Sequence, residues 1–79
     1  MKEYLVGGHQ VLTSLDGRVW VNSGVSGMTI GRFQPPSRID VHDHEFGACE
    51  DCKEGSLSDF IDSMQRVHNV DLTFLKERL

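Results

Sequence analysis

The stretch Val41-His42-Asp43-His44-Glu45-Phe46-Gly47-Ala48-Cys49-Glu50-Asp51-Cys52 contains both cysteines of the chain and two of its four histidines. Imidazole nitrogen and thiolate sulfur are ligands that zinc prefers in proteins. The hydrophobic pattern also changes across this stretch, from short apolar runs between turn residues to a helical period. We therefore expect a metal-binding turn that joins a sheet to helices.

The residues before this stretch predict an antiparallel sheet. Five candidate strands lie between turn signals, at residues 4–6, 10–15, 18–22, 28–33 and 38–42. Asp16-Gly17 predicts a two-residue hairpin turn, which would pair Thr13 with Trp20. That register places four side chains on one face of the sheet: Val11, Thr13, Leu15 and Trp20.

The residues after Gly55 predict two helices. Apolar residues recur at helical spacing in the first helix, at Leu57, Phe60, Ile61, Met64 and Val67. Ser56 is its predicted N-cap and Asp59 completes a capping box. Asn69 is predicted to end it. Asp71 is the predicted cap of a short second helix, whose core-facing residues would be Leu72, Leu75 and Leu79.

These patterns predict a single α+β domain over residues 1–79, with a small N-terminal antiparallel sheet, a zinc-binding turn and two C-terminal helices. Residues 1–42 are expected to be mainly β, 43–55 to form the metal-binding loop, and 56–79 to be α-helical. The apolar content of 38% is low, and a chain of 79 residues buries only about 60–65% of its unfolded surface. A metal or a partner subunit would add stability to such a core, and a homo-oligomer is compatible with it.

Two ligand sets fit the spacing of the metal-binding residues. The local set is His42, His44, Cys49 and Cys52, because residues i and i+2 of an extended segment point to the same side. The other set takes Cys49, Cys52 and His68, with His42 or His44 as the fourth ligand, because the helical period predicts that His68 faces inward. We favour His42, Cys49, Cys52 and His68, with His44 as the competing ligand, because that set joins a strand, a turn and a helix. Zinc in such a site contributes on the order of 10 kcal/mol to folding. The simpler alternative for the cysteines is a free or reversibly oxidised pair.

The distribution of charged residues indicates which classes of partner to expect. The eight lysines and arginines are scattered through a chain of net charge −4, so nucleic acid is not an expected partner. Residues 40–62 contain eight acids and one base, which predicts either a solvated face or a surface for a basic protein. No apolar run is long enough for a membrane span or a signal peptide, so we expect a cytoplasmic location with reduced thiols.

Enzymatic alternatives are less well supported by the residues. A thioredoxin-like role requires a stabilised thiolate, whereas Glu50 and Asp51 lie between the cysteines. A hydrolytic zinc with Glu45 or Asp43 as base requires an open coordination position and a substrate cleft, and no pattern indicates a cleft. We predict no catalytic residues.

Three segments of the sequence resemble those of known proteins: Ile39-Asp40-Val41-His42, Cys49-x-x-Cys52, and Phe60-x3-Met64-x3-His68-x-Val70. In these segments the sequence resembles small uncharacterised proteins encoded by actinobacterial phages. The resemblance implies a phage accessory protein that works in the bacterial host cytoplasm and inhibits or modulates a host protein.

The predicted function is a zinc-stabilised, non-enzymatic, protein-binding module. Its candidate contact surfaces are the acidic metal loop and the exposed side of the predicted sheet. A zinc-containing nucleic-acid-binding regulator is the alternative, and a metal-dependent hydrolase is the third candidate.

Overall fold

The computed structural model describes the backbone of residues 1–43, 48–49 and 51–78, and the side chains of residues 1–42 and 51–77. In this part of the chain, seven strands precede two helices, which confirms the predicted α+β class. The strands are β1 (Lys2–Val6), β2 (His9–Thr13), β3 (Val19–Asn22), β4 (Thr29–Gln34), β5 (Arg38–Asp43), β6 (Ala48–Cys49) and β7 (Lys53–Glu54). The helices are α1 (Leu57–His68) and α2 (Leu75–Arg78).

The strands form one antiparallel sheet in the order β1-β2-β3-β4-β5-β6, and β7 also pairs with β5. His42 of β5 lies opposite Cys49 of β6, and Ile39 lies opposite Lys53 of β7. Three residues separate Cys49 from Lys53, whereas only two separate their partners on β5, His42 and Ile39. The edge segment from β6 to β7 therefore has one residue more than β5, as in a β-bulge. The segment 43–55, expected to be a loop, therefore contains two short edge strands.

The β2–β3 hairpin differs from the predicted two-residue turn. Leu12 is opposite Trp20 and Thr13 is opposite Val19, so the predicted pairing of Thr13 with Trp20 was wrong. The Ser14 hydroxyl binds the Asp16 carboxylate and accepts a hydrogen bond from the Arg18 amide, which stabilises a longer turn. A shift of one residue moves Trp20 to the face opposite Thr13.

The core lies between one face of the sheet and the helical segment. Helix α1 packs against β4 and β5, with Phe60, Ile61 and Met64 buried. A Cβ atom added to Gly31 of β4 would overlap the Met64 sulfur, so glycine permits the close approach of α1 to the sheet. The buried apolar side chains from the sheet are Val11, Val19, Val21, Ile30, Phe33, Ile39 and Val41.

The predicted ends of α1 are confirmed, but the predicted cap of the second helix was wrong. Helix α2 begins at Leu75, and Asp71 accepts a hydrogen bond from the Thr73 amide in the turn before it. The Ser56 hydroxyl accepts from the Asp59 amide, and the Asp59 carboxylate accepts from the Ser56 amide, which completes the capping box. Asn69 ends α1 in the left-handed conformation, at φ 56°. Leu72 and Leu75 are buried, but Leu72 precedes α2 and does not lie on it as predicted; Leu79 lies outside the described residues. No helix in the described ranges has the length and apolar character that crossing a membrane requires.

Candidate metal centre

Asp40, His42 and Cys52 converge at the outer edge of β5. One potential ligand atom from each residue lies within 4.8 Å of the other two, and His42 Nδ1 is 3.9 Å from Cys52 Sγ. Asp40 and His42 are two residues apart on one strand and so point to the same side. The bulged edge places Cys52 beside them. No other trio of His, Cys, Asp or Glu side chains converges as closely within residues 1–42 and 51–77.

Asp40 is a candidate ligand that was not predicted from the sequence. Its side chain is buried, and two guanidinium groups compensate its charge. Arg38 donates to Oδ1 from Nη2 at 2.8 Å and from Nε at 3.1 Å, while Arg32 Nη2 lies 3.4 Å from Oδ2. The alternation rule that was applied to His42 and His44 would have selected Asp40 as well, because it lies two residues before His42.

His68 reaches this edge but not the group of converging ligand atoms. Its Nε2 is 2.6 Å from the backbone oxygen of His42. A carbonyl oxygen only accepts hydrogen bonds, so Nε2 carries the proton and donates it. The helical spacing correctly predicted that His68 faces the sheet, but its Nε2 binds the main chain of His42 and not a metal ligand group. In this arrangement His68 positions His42 relative to α1.

Asp51 joins the bulged edge to α1. Its backbone amide donates to the Val41 carbonyl at 3.0 Å. Its carboxylate accepts from the buried Ser63 hydroxyl and from Arg66 Nη2 at 2.7 Å, and it forms an ion pair with Lys53. The hydrogen bond from Ser63 lowers the pKa of Asp51 below its ordinary value of 3.8; Lys53 and Arg66 act in the same direction, and burial opposes them.

The sulfur of Cys52 is in a disulfide in this structure, and Cys49 is the other cysteine of the sequence. A disulfide sulfur has no thiolate to give a metal, so the structure represents the oxidised chain. Metal binding through Cys52 requires reduction. The backbone of Cys49 lies opposite His42. The side chain of Cys49 and all of His44 lie outside the described part of the chain.

The acidic segment is partly neutralised by the protein itself. Asp40 binds two arginines, Asp51 binds α1, and Asp59 caps that helix. Glu54 and Asp62 are exposed. At least three of the eight acids in residues 40–62 therefore have partners within the chain.

The sheet face opposite the core contains the second notable cluster. Leu12, Trp20 and Arg32 lie side by side across β2, β3 and β4 and are half-buried. Leu5 of β1 lies on the same face, because Glu3, two residues away, is opposite Leu12; its side chain is 79% exposed. We call Leu5, Leu12, Trp20 and Arg32 the outer-face patch. The patch replaces the predicted surface of Val11, Thr13, Leu15 and Trp20, because Val11 and Thr13 are buried.

A cleft of about 430 Å³ lies away from the converging ligands. It is lined by residues from β1 and from the β2–β3 turn region: Met1, Lys2, Tyr4, Thr13, Ser14, Leu15, Asp16 and Gly17. None of these residues belongs to the Asp40, His42 and Cys52 group. The cleft therefore does not give the candidate metal centre a substrate pocket.

No family model matches this chain, and no curated protein or solved structure matches it either. A fold by itself does not define an activity, so the residues that converge on β5 and the outer-face patch are the features that bear on function.

Proposed function

We propose that this chain is a zinc-stabilised, non-enzymatic, protein-binding domain. The observation that supports it most directly is the approach of one ligand atom each from Asp40, His42 and Cys52 to within 4.8 Å of one another. Carboxylate oxygen, imidazole nitrogen and thiolate sulfur are all zinc ligands, and the sulfur distinguishes this set from a calcium or magnesium site.

Asp40 retains capacity for a metal despite its arginine contacts. Both contacts from Arg38 go to Oδ1, and Oδ2 accepts a long hydrogen bond from Arg32 at 3.4 Å. Each carboxylate oxygen has about two acceptor sites, so Oδ2 has one for zinc. The guanidinium groups hold the carboxylate in place beside His42.

Cys49 is our choice for the fourth ligand. Its backbone is directly opposite His42, and cross-strand partners have Cα atoms about 4.5–5.5 Å apart. His68 was the other candidate, but its Nε2 already donates to the His42 carbonyl. The proposed set is Asp40, His42, Cys49 and Cys52.

A structural role follows from a closed set of four ligands. A catalytic zinc keeps a position for water or substrate, and the four protein ligands leave none in a tetrahedral site. The separate position of the cleft supports the same conclusion. We also propose a cytoplasmic location, where thiols are kept reduced and the zinc-bound form would be favoured.

The outer-face patch supports a protein as the partner. Tryptophan and arginine are enriched among the residues that dominate protein–protein binding energies, and Trp20 lies opposite Arg32. The exposed Leu5 extends the apolar part of the patch. The resemblance to phage proteins adds the proposal that the partner is a bacterial host protein.

Native mass spectrometry of the reduced chain tests the zinc site. We expect one zinc per chain, lost on addition of a chelator. His42→Gln and Asp40→Asn should weaken binding, whereas His68→Gln should leave one zinc bound. His9→Gln is the matched control, because His9 is on β2 and outside the ligand group.

Three outcomes would change the zinc proposal. A reduced chain that binds no zinc would contradict it. Loss of zinc in His68→Gln, equal to the loss in His42→Gln, would return His68 to the ligand set. Loss in His44→Gln would favour the local set of His42, His44, Cys49 and Cys52.

Affinity capture from a bacterial lysate tests the binding role. Trp20→Ala should lose proteins that the unaltered chain retains, because it removes the largest side chain of the outer-face patch. Leu15→Ala is the control, since Leu15 is fully exposed and lies outside the patch. Identical retained proteins for both variants would contradict binding through this face.

A further inference from the structure

One sulfur atom has two possible partners in this structure. Cys52 is in a disulfide, yet its Sγ is 3.9 Å from His42 Nδ1 and belongs to the converging group with Asp40. The oxidised chain therefore retains the other two ligands in place around the sulfur. Reduction would restore a thiolate at a position where the nitrogen and oxygen ligands are already assembled.

We propose that zinc binding and disulfide formation are alternative states of this centre, so that a hydroperoxide releases the metal and a dithiol restores its site. This inference rests on the proposed zinc-binding function and adds its regulation. The disulfide state is the one in the structure, and the zinc state is its reduced counterpart.

The chemistry balances with a hydroperoxide as the oxidant. One thiolate attacks a peroxide oxygen, which forms an S–O bond, breaks the O–O bond and gives a sulfenic acid, while the other oxygen leaves as hydroxide or alkoxide. The second thiolate attacks that sulfur, forms the S–S bond and displaces hydroxide. For hydrogen peroxide, two thiolates, one peroxide and two protons give one disulfide and two waters, and zinc is released as the free ion. A dithiol reverses the step by thiol–disulfide exchange.

The surrounding contacts allow both states without rearrangement of the fold. Asp51, the residue before Cys52, is held by the Val41 carbonyl and by Ser63 and Arg66 of α1. None of these contacts uses a cysteine sulfur. Arg32 and Arg38 likewise hold Asp40 without the metal. The bulged edge therefore stays on β5 when the sulfurs change partner.

Release follows from the loss of the anionic sulfur ligands. Zinc binds thiolate, not disulfide sulfur, so oxidation removes half of the proposed ligand set. One imidazole and one carboxylate remain, and the carboxylate is also shared with two arginines. We expect one zinc released for each disulfide formed.

The test begins with reduced protein shown by native mass spectrometry to hold one zinc. Hydrogen peroxide is added in steps, free zinc is followed with a chromophoric chelator too weak to remove zinc from the reduced chain, and free thiols are counted on the same samples. Zinc release should match the loss of two thiols, and the chain mass should fall by two hydrogens. Addition of a dithiol and zinc should restore the starting state. Mass also separates disulfide formation from oxygen added to methionine.

Cys52→Asp is the discriminating variant. It keeps an anionic zinc donor but cannot form the disulfide, so zinc that it binds should leave only as Cys49 gains oxygen, which the chain mass reports as added oxygen and not as a loss of two hydrogens. Circular dichroism checks its fold. If this variant takes up no zinc, the match between zinc, thiols and mass in the unaltered chain decides the question.

The outcomes separate the two proposals. A reduced chain that takes up no zinc overturns the zinc-binding function and this inference together. Zinc that stays bound after the disulfide has formed overturns the inference alone. Zinc that leaves only when the cysteines gain oxygen, without a disulfide, also overturns the inference alone.

Discussion

Asp51 accepts hydrogen bonds from Ser63, whose side chain is fully buried, and from Arg66 at 2.7 Å. Asp51→Ala would leave the Ser63 hydroxyl without this acceptor, and an unsatisfied buried polar group costs about 1–3 kcal/mol. We expect a loss of that size in the free energy of unfolding, measured by urea denaturation. Asp62→Ala is the control, because Asp62 is exposed on α1 and its change should stay within about 0.5 kcal/mol. Equal losses in the two variants would show that the Asp51 contacts add nothing.

The same residue predicts a pH dependence. The Ser63 hydrogen bond, with Lys53 and Arg66, lowers the pKa of Asp51 in the folded chain below 3.8. A carboxyl group with a lowered pKa stabilises the fold above its unfolded pKa, and this contribution is lost as pH falls through the folded pKa. The stability difference between the unaltered chain and Asp51→Asn should therefore be largest near neutral pH and shrink below about pH 4.

Urea unfolding of both proteins between about pH 7 and pH 2 measures this difference. Asp16 and Asp71 also have lowered pKa values, through hydrogen bonds from Ser14 and from the Thr73 backbone, respectively. They titrate in both proteins, so their effects cancel in the comparison. A difference that stays constant down to the lowest pH would contradict the role assigned to Asp51.

The residues of the candidate metal centre differ in how far they could be predicted from the sequence. His42 and Cys52 were predictable because histidine and cysteine are recognisable zinc ligands at close spacing. Asp40 was predictable in principle from strand alternation, but one acid among eight does not stand out. Asp51 was not predictable, since its partner Ser63 lies twelve residues away on α1 and meets it only through tertiary packing.

At the scale of elements, the N-terminus of α1 depends on one side chain. The Ser56 hydroxyl accepts from the Asp59 amide as the N-cap, whereas Ser58 is exposed inside the first turn. Ser56→Ala removes the cap and should cost about 1 kcal/mol of unfolding free energy. Ser58→Ala, the same substitution two residues later, should be neutral or slightly stabilising because alanine favours helices. Guanidinium unfolding of both variants measures the contrast, and equal stabilities would contradict the capping role.

The elements themselves differed in how well the sequence predicted them. Helix α1 was predictable because five apolar residues recur at helical spacing beside a capping box. The register of β2 and β3 was not, because the Ser14 side chain bonds to Asp16 and Arg18 and lengthens the turn. The edge strands β6 and β7 have two residues each, too few to show alternation.

At the scale of the whole molecule, the sheet and α1 are joined at one edge by contacts of different kinds. Asp51 binds Ser63 near the middle of α1 and Arg66 in its last turn, and His68 at its end donates to the His42 carbonyl. Both contacts are present in the oxidised chain. A zinc ion at Asp40 and His42 would add a third connection within the edge, between β5 and the bulged segment that holds Asp51.

Zinc should therefore stabilise the whole domain, but only when the cysteines are reduced. A ligand that binds only the folded state at about 100 times its Kd adds about 2.7 kcal/mol. A gain of about 2.7 kcal/mol raises the melting temperature of a domain this size by roughly 10–20 °C. Thermal unfolding of the reduced chain with zinc, with zinc and chelator, and of the oxidised chain with zinc measures the effect. The reduced chain should show the rise and lose it with chelator, and Cys52→Ser, which removes one sulfur ligand, should show a smaller rise. An equal rise in the oxidised chain would mean that zinc binds without the thiolates and would contradict the proposed ligand set.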